Sequence, residues 1–211
     1  FVSAGGFFVG FEEVESISTS VDGLDWTQVS ANTGRVLFGV DDYDLGYVAV
    51  GREGQVMTSP DGEVWTTESS AVTDRELVDL TTLGAMNVAV GREGTVLTGF
   101  DGAAWTLRPA PTVSDLTGVT AHDGLLVAVG TDGAIITSTN GVEWTAQDSG
   151  TDAHLQDVTW AIDRFVAIGG FAATEETEAS SVVLTSLDAE AWTVLTPGEG
   201  TVAEHDGVLT A

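Results

Sequence analysis

The strongest constraint on the fold is a sequence repeat with a period near 40 residues. The stretch at residues 48–66, which begins Val-Ala-Val-Gly and ends Trp-Thr, returns with small changes at residues 88–106 and 127–145. Tryptophans spaced 39, 40, 39 and 48 residues apart extend the pattern, at Trp26, Trp65, Trp105, Trp144 and Trp192. Such a period is typical of arrays of small units, none of which can bury a core alone.

Each unit is predicted to contain four short strands. In the unit that ends at Trp144, apolar runs at residues 116–121 and 125–130 are separated by Asp123-Gly124, and Asn140-Gly141 follows the third run. Such pairs are strong hairpin signals because both residues tolerate a positive φ. We therefore predict an all-β fold, a β-propeller of five four-stranded blades. The approximate blade boundaries are 1–30 with 201–207, 31–69, 70–109, 110–149 and 150–200.

The two ends of the chain resemble parts of one unit. Residues 1–7 match residues 165–171, which are a second strand, so the first unit lacks a first strand. Residues 201–207 match residues 119–124, which are a first strand with its turn. We expect the C-terminal segment to supply the missing strand and close the ring, which removes exposed sheet edges. Alternatively, the chain is part of a larger propeller, and in another register the C-terminal segment begins a sixth repeat.

The hairpin between the third and fourth strands carries a motif that all five units share. It runs Ser-x-Asp-Gly-x-x-Trp-Thr in the first two copies, and its marker residues are Asp22, Trp26, Asp61, Trp65, Asp101, Trp105, Asn140, Trp144, Asp188 and Trp192. We expect the carboxylate to accept hydrogen bonds from turn amides, the glycine to take the left-handed conformation and the tryptophan to pack under the hairpin. Gly99, Asn140 and Ala189 depart from the motif and affect the turn geometry, not the fold.

These hairpins resemble the Asp-box of the BNR, or sialidase-type, propeller repeats, and the units are similar to those of photosystem II assembly-factor propellers. The resemblance covers nearly the whole chain. It implies a propeller whose Asp-boxes are structural. It also implies that functional groups collect at the opposite end, where the second-to-third turns of each unit and the inter-repeat loops lie. Two longer second-to-third segments, residues 8–16 and 172–181, would project from that same end.

The resemblance also points to a set of candidate ligand-binding residues. The second-to-third turns supply Arg52, Glu53, Arg92, Glu93 and Asp132, and the inter-repeat loops supply Arg35, Asp74, Arg75, Asp115, Asp152 and His154. Arg52 and Arg92 occupy equivalent positions in adjacent units and could hold one anionic group between them. The alternative is that each Gly-Arg-Glu-Gly segment is a solvated turn with a local ion pair.

The charge of the chain is strongly one-sided. It has 33 Asp and Glu against 6 basic residues, all of them arginine, for a net charge of -27. This is either an ordinary acidic surface or an adaptation to molar salt, where self-repulsion is screened, and the absence of lysine favours adaptation. Nucleic acid and anionic membranes are not expected as partners, because both require a basic face. No apolar run is long enough to span a membrane, and without cysteine there is no disulfide.

No catalytic or cofactor motif accompanies the repeat. A sialidase requires a tyrosine nucleophile, but Tyr43 and Tyr47 lie at a first-to-second turn, at the opposite end from the candidate site. Other glycosidases use two carboxylates, which are too abundant here for any pair to be diagnostic. No spacing suggests zinc or a phosphate loop, and the oxygens of residues 41–46 make calcium conceivable without a full ligand set. We therefore assign no catalytic residue, metal site or cofactor.

The favoured function is a non-enzymatic binding module for a protein, peptide or glycan, secreted or at the surface of a salt-adapted cell. The basis is a rigid ring with variable loops and no recognisable catalytic set. The competing hypotheses are a glycoside hydrolase that uses loop carboxylates and a structural subunit of a larger extracellular assembly. No signal peptide is visible, although one could have been removed from a chain that begins with Phe1.

Overall fold

Short antiparallel strands make up nearly all of the regular structure. The computed structural model describes residues 1–9, 12–29, 35–68, 72–173 and 178–195, and side chains are described outside residues 6–16. Within these ranges the remaining regular elements are three short 3-10 turns, Arg52–Gly54, Arg92–Gly94 and Thr131–Gly133. The same part of the chain contains no helix that is long and apolar enough to cross a membrane.

The strands form five separate sheets, each with its strands in sequence order. Sheet 1 contains β1 (Val2–Val9), β2 (Glu12–Thr19) and β3 (Thr27–Val29). Sheet 2 contains β4 (Leu37–Tyr43), β5 (Gly46–Gly51), β6 (Val56–Ser59) and β7 (Thr66–Glu68). Sheet 3 contains β8 (Leu77–Leu83), β9 (Met86–Gly91), β10 (Thr95–Phe100) and β11 (Ala103–Arg108). Sheet 4 contains β12 (Leu116–His122), β13 (Leu125–Gly130), β14 (Ile135–Ser138) and β15 (Thr145–Gln147). Sheet 5 contains β16 (His154–Ala161), β17 (Arg164–Phe171), β18 (Ser180–Ser186) and β19 (Thr193–Leu195).

Neighbouring sheets pack face to face through an apolar layer that the repeat encodes. The second strands of sheets 2, 3 and 4 contribute Val50, Val90 and Val129, all fully buried. Val90 shares a core cluster with Leu116 and Val119 of the next sheet's first strand, and the same relation holds at the other two interfaces. Burial of one such side chain stabilises the fold by about 1.5 to 3 kcal/mol. Packing between sheets therefore supplies most of the core.

The first strands of sheets 2 to 5 lie side by side and form the inner wall of the array. Each carries a β-bulge directly after a buried leucine, at Leu37, Leu77, Leu116 and Leu155. A bulge bends its strand and increases the local twist. Thr117, the bulged residue of β12, donates its Oγ1 hydrogen to the Leu155 carbonyl at 2.6 Å and ties sheet 4 to sheet 5. The recurring bulges therefore give the four sheets a common shape.

Sheet 1 differs from the others because only three of its strands lie in the described residues. β1 pairs with β2 and occupies the place of a second strand, as the match of residues 1–7 to residues 165–171 predicts. Val2 and Ala4 pack against the cluster that contains Leu37 of β4, as second strands do elsewhere. The predicted closing strand, residues 201–207, lies outside the described residues. Closure of the ring and the number of blades therefore stay predictions.

In four of the five hairpins between third and fourth strands, the Asp or Asn side chain of the motif accepts the expected turn amides. In sheet 2, Asp61 Oδ1 accepts the Glu63 and Val64 amides at 2.8 and 3.0 Å, and Ser59 Oγ accepts the Gly62 amide at 2.8 Å. The Trp65 indole donates to the Gly62 carbonyl at 2.9 Å, and the other four hairpins repeat this indole contact. The turn amides lower the pKa of Asp61, as they do in the first and fifth hairpins.

The hairpin of sheet 3 lacks the serine hydroxyl and recovers its hydrogen bond from another strand. At Gly99 a Cβ atom would stand 2.8 Å from the Trp105 ring, so no serine fits there. Asn87, which lies opposite Gly99 in β9, instead accepts the Gly102 amide at 2.9 Å through Oδ1. Its Nδ2 group donates to Thr82 Oγ1 at 3.1 Å. A side chain from the neighbouring strand thus replaces the missing member of the motif.

The other two departures are accommodated within their own hairpins. Asn140 Oδ1 accepts two turn amides at 2.9 Å each, so an amide oxygen replaces the carboxylate with the geometry unchanged. Ala189 takes a left-handed φ of 59° where the other hairpins have glycine, and its methyl group is fully buried in the core. A residue with a Cβ atom costs roughly 1 kcal/mol in this conformation, and burial of the methyl group offsets part of that cost.

A half-buried carboxylate joins two of the inner strands. Asp79 of β8 accepts the Val119 amide of β12 at 2.8 Å through Oδ2. Burial, helped by the negative charges of Asp157 and Asp41, raises the pKa of Asp79 from 3.8 to about 6, although amide hydrogen bonds oppose the rise. The folded state therefore holds the proton more tightly than the unfolded chain. The resulting stabilisation is complete below pH 3.8 and is lost as the pH rises through about 6.

We predict that Asp79→Asn stabilises the protein at pH 8 by about 2 kcal/mol, because it removes a desolvated charge and keeps an oxygen for the Val119 amide. At pH 4 the gain should nearly vanish, because Asp79 is then protonated. Urea unfolding of the parent and the variant at both pH values measures the difference, with exposed Asp163→Asn as the control. An equal pH dependence of stability in the parent and in Asp79→Asn would contradict the assignment.

Replacement of Asn87 tests whether its Oδ1 atom takes over the role of the missing serine hydroxyl as the acceptor of the Gly102 amide. Asn87→Leu copies the residue at the equivalent position of sheet 4, Leu126, and keeps the volume but leaves the buried Gly102 amide without an acceptor. We expect a loss of about 2 kcal/mol in the free energy of unfolding, and a larger loss for Asn87→Ala, which adds a cavity. Thr82→Ala, which removes only the second contact of Asn87, is the matched control. Parent-like stability of Asn87→Leu would show that the hydrogen bond is dispensable.

Candidate ligand-binding site at the loop end

The second-to-third turns and the inter-repeat loops meet at one end of the sheets, which we call the loop end. Each turn is held by its backbone, since the Arg92 amide donates to the Glu76 carbonyl at 3.0 Å and the Thr131 amide to the Asp115 carbonyl at 2.9 Å. The turn also packs closely against the next inter-repeat loop, because a Cβ atom at Gly94 would lie 2.1 Å from the Thr112 carbonyl oxygen. The side chains of these turns therefore project from a rigid backbone.

The middle residue of each turn is acidic and left-handed. Glu53, Glu93 and Asp132 have φ values of 56°, 53° and 56°. Each meets a side chain from the loop that precedes its own sheet: Arg35 Nη2 lies 2.8 Å from Glu53 Oε2, and Arg75 Nη2 lies 2.9 Å from Glu93 Oε2. In sheet 4 a hydroxyl replaces the guanidinium, because Ser114 donates to Asp132 Oδ2 at 3.3 Å. These ion pairs therefore join the turns of sheets 2 and 3 to the loops that precede them.

A second set of contacts runs from sheet to sheet. Glu76 places Oε1 3.8 Å from Arg52 Nε and Oε2 3.6 Å from Arg92 Nε. Arg92 Nη1 also lies 2.6 Å from Asp115 Oδ2, and Asp115 Oδ1 accepts the Glu93 amide at 2.9 Å. We call Arg52, Glu76, Arg92 and Asp115 the arginine ladder. It crosses three sheets and alternates positive and negative groups.

The ladder bears on the prediction that Arg52 and Arg92 hold one anionic group between them. The Glu76 carboxylate of the same chain lies between them, 3.8 Å from Arg52 and 3.6 Å from Arg92, and binding of an external anionic group there stays a prediction. Glu76 was not among the residues predicted from the sequence, although Asp115 and His154 were. The three residues occupy equivalent positions immediately before or at the start of a first strand. An alignment of these three positions would have identified Glu76 from the sequence.

The electrostatics of the ladder are strongest at Asp115. The Glu93 amide, the Arg92 guanidinium and, to a smaller extent, His154 lower the pKa of Asp115. The same pairing raises the pKa of Arg92. His154 lies at the start of β16 and is exposed. Asp74 and Asp152, also predicted for this end, take part in none of these contacts.

A small polar cleft of about 290 Å³ adjoins the ladder at sheet 4. Ser114, Asp132 and Gln147 line it, together with Asp148 and Thr151 from the next inter-repeat loop. Ser114 directly precedes Asp115, so the cleft and the ladder are continuous along the chain. The volume is that of a site for one or two side chains rather than for a large cofactor.

Asp115 does not have the character of a glycosidase acid. Such an enzyme needs one carboxyl group with a raised pKa, whereas that of Asp115 is lowered. Tyr43 and Tyr47 lie at the first-to-second turn of sheet 2, at the end opposite the ladder. In the described ranges, which include Asp41, Asp42 and Asp44, no group of three or more potential ligands is placed to hold a metal ion.

Comparison with known proteins was informative at the level of structure. No family model and no curated protein matches the sequence. YCF48 from Cyanidioschyzon merolae is 21% identical and has a TM-score of 0.64, with 81% of this chain and 59% of that chain covered. A structure of YCF48 bound to D1 peptide is 15% identical and has a TM-score of 0.60, with 85% of this chain and 73% of that chain covered. This chain therefore spans about three fifths of the length of the first of these relatives.

These likenesses establish the fold. The sheets, their inner first strands and the structural neighbours together confirm the prediction of an all-β propeller. The predicted resemblance to photosystem II assembly-factor propellers holds at this level, because the neighbours are YCF48 structures. The more specific assignment to the sialidase-type Asp-box repeats stays a prediction.

We predict that Asp115→Ala lowers the free energy of unfolding by about 1 kcal/mol at neutral pH, because it removes the acceptor of both Arg92 and the Glu93 amide. The folded-state pKa of Asp115 is below its ordinary value. Its contribution is therefore present at pH values above 3.8 and is lost as the pH falls through the lowered pKa. Urea unfolding across this range measures it.

The control for this prediction is Asp132→Ala, which removes an acid of the same loop end whose carboxylate meets a serine hydroxyl at 3.3 Å. We expect its effect to stay within about 0.5 kcal/mol. Equal effects of Asp115→Ala and Asp132→Ala would mean that the ladder adds no stability beyond that of a generic surface acid.

Proposed function

We propose that this chain is a non-enzymatic propeller that binds a protein segment or peptide at its loop end. The observation that carries the proposal is the arginine ladder, which is built on rigid turns and exposed along one side. YCF48 has been solved bound to D1 peptide, and the shared fold supports peptide binding as the first function to test here.

The distribution of arginine supports the loop end as the binding surface. Of the 6 arginines, Arg35, Arg52, Arg75 and Arg92 lie there. On a chain with a net charge of -27, this is where an acidic partner meets the least repulsion. Arg52 and Arg92 are 38% and 49% exposed in their side chains, so both can be reached from solvent.

Glu76 indicates the chemistry of the partner. Its carboxylate lies between Arg52 and Arg92 at 3.8 and 3.6 Å, farther than the 2.6 Å that separates Arg92 from Asp115. An incoming carboxylate, from an acidic side chain or a chain terminus, can form the shorter bidentate contacts that guanidinium groups prefer. The proposed ligand is therefore an acidic peptide segment whose carboxylate takes the place of Glu76, with a neighbouring side chain in the polar cleft near Asp132.

The charge of the chain motivates a proposal about its environment. The excess of acidic residues and the absence of lysine support salt adaptation, and we propose that the protein lies outside the cell or at its surface. In such a solution long-range repulsion is screened within a few ångströms. Short contacts such as those at the ladder then matter more than the net charge.

Glu76→Gln tests the proposed ligand chemistry. We expect it to tighten the binding of a fluorescent acidic decapeptide with a free C-terminus by roughly threefold to tenfold, because two guanidinium groups lose their internal competitor. Fluorescence anisotropy at low and high salt measures the affinity, and an amidated peptide in which amides replace the acids is the negative probe. Arg92→Gln should abolish the gain.

Glu53→Gln is the matched control, because it removes one negative charge from the same end but leaves Glu76 in place. It should change the affinity by less than about twofold. Equal gains from Glu53→Gln and Glu76→Gln would reduce the effect to net charge. No binding of the acidic peptide by any variant would refute the proposed function.

A further inference from the structure

The end of the sheets opposite the loop end consists of the first-to-second turns and the third-to-fourth hairpins, and we call it the hairpin end. In sheets 4 and 5 it exposes aliphatic side chains, since Val142, Leu187 and Ile162 are 41%, 70% and 90% exposed. The hairpins of the other three sheets add further exposed apolar residues, namely Val21, Leu24, Val64 and Phe100. Exposed apolar groups gathered at one end are typical of an interaction surface.

The geometry of the hairpins does not require these apolar residues. Thr139 of sheet 4 occupies the position of Leu187 in sheet 5, and Glu190 of sheet 5 occupies the position of Val142 in sheet 4. Both hairpins keep the same amide hydrogen bonds with either kind of residue. The aliphatic side chains are therefore a feature of the surface and not of the turn.

Ile162 is also held in an unfavourable backbone conformation. It takes a φ of 52° in the turn between β16 and β17, and Asp163 follows with a φ of 58°. In the equivalent turn of sheet 4 these positions are Asp123 and Gly124, which tolerate a positive φ. A β-branched residue in this conformation is an outlier, and no packing explains it because the side chain is exposed. Strain of this kind points to a function for Ile162 at the surface.

The elements that carry the surface are fixed to one another. The His122 ring, at the end of β12, stacks on the Trp160 ring of β16 with centroids 3.8 Å apart and planes 10° apart. Asn140 and Asp188 each hold two amides of their own hairpin at 2.9 to 3.0 Å. The exposed side chains thus project from ordered turns, which lowers the entropy that a partner loses on binding them.

A cleft of about 320 Å³ lies between the hairpins of sheets 4 and 5. Glu143, Asp188 and Glu190 line it, together with Leu125 and Thr139. The volume suits one or two side chains of a partner, and the three carboxylates select cationic ones. The apolar tips are therefore adjacent to a place for a lysine or an arginine.

We propose that the hairpin end of sheets 4 and 5 docks a basic amphipathic segment of a partner protein. Aliphatic residues of that segment cover Ile162 and Leu187, and one lysine or arginine enters the cleft beside Glu190. Charge selects this occupant, because a second copy of a chain with a net charge of -27 is repelled, as is an anionic membrane. The site does not depend on the function proposed for the loop end, and both ends can be occupied at once.

The test uses a fluorescent amphipathic helical peptide made of leucine and lysine. Its affinity for the full chain is measured by anisotropy at about 0.1 M and about 2 M KCl, where screening removes most of the charge attraction. Ile162→Asn with Leu187→Ser should weaken binding roughly tenfold at both salt concentrations. The matched control is Val113→Ser, at a loop-end residue that is 87% exposed, and it should leave the affinity unchanged.

Replacement of the cleft acids separates charge from apolar contact. Glu143→Gln with Glu190→Gln should weaken binding roughly threefold at about 0.1 M KCl and less than twofold at about 2 M. Asp74→Asn with Asp152→Asn removes the same number of charges from the loop end and should have less than half that effect. Equal losses from the two pairs at low salt would overturn the assignment of the cleft.

Ile162→Asn alone keeps the test independent of folding. Asparagine tolerates the left-handed conformation, so we expect the melting temperature to rise by roughly 2 °C while peptide binding weakens. Because the chain has no cysteine, an environment-sensitive fluorophore on Thr139→Cys can report on the cleft. Its emission should shift when the peptide is added, whereas the same label on Val113→Cys should not respond.

Four results would overturn the proposal. The first is no binding of the peptide by the parent protein, and the second is an equal loss of affinity in Val113→Ser and the Ile162/Leu187 variant. The third is recruitment of the protein to phosphatidylcholine vesicles that Ile162→Asn abolishes, because the occupant would then be a lipid surface. The fourth is self-association, measured by sedimentation, that Ile162→Asn abolishes, because the occupant would then be a second copy.

Discussion

The fold depends on how one sheet packs on the next. The second strands of sheets 2 to 5 each carry an alanine between two bulky aliphatic residues. In sheet 3, Val88 and Val90 project towards sheet 4, whereas Ala89 projects towards sheet 2. The bulky side of one sheet can then meet the first strand of the next, while the small side leaves room for the sheet before it. This asymmetry is a property of three consecutive residues. Its recurrence at the same spacing lets the array propagate without a separate core.

The hairpins consolidate that packing instead of creating it. Each tryptophan bonds to its own turn, but its burial depends on the sheet before it. Trp105 and Trp144 are 8% and 9% exposed, whereas Trp26, in the first sheet, is 46% exposed. The glycine of each turn also comes close to that sheet, since a Cβ atom at Gly141 would stand 2.8 Å from Met86. The motif therefore links the geometry of a turn to the distance between sheets.

The sequence predicted what is encoded within a repeat and missed what is encoded between repeats. Strands, turns and the hairpin motif follow from residues close together in the chain, and they were predicted. The replacement of a serine by Asn87 was not, because it requires knowledge of which residue lies opposite Gly99. The raised pKa of Asp79 was not, because desolvation depends on the neighbouring strand.

In the candidate site, too, features within a repeat were predicted and contacts between repeats were missed. The two arginines were recognised as a pair, and their positions in adjacent repeats were enough for that. Their common partner was placed outside the protein, because the sequence analysis did not align Glu76 with Asp115 and His154. A repeat protein can change such a position freely, since its backbone contacts are made by main-chain atoms and not by the side chain. The loop end is therefore where this array can acquire specificity without a change in packing.

Backbone strain at the loop end is also unrelated to the packing of the sheets. Glu53, Glu93 and Asp132 hold a left-handed conformation that costs an L-residue roughly 1 kcal/mol relative to glycine. Glycine would serve the turn equally well, as it does one residue later in each turn. Strain that recurs at three equivalent exposed positions, with an acidic side chain each time, is not explained by packing. In sheets 2 and 3 the carboxylate pairs with Arg35 and Arg75 beside the ladder, and in sheet 4 it accepts the Ser114 hydroxyl.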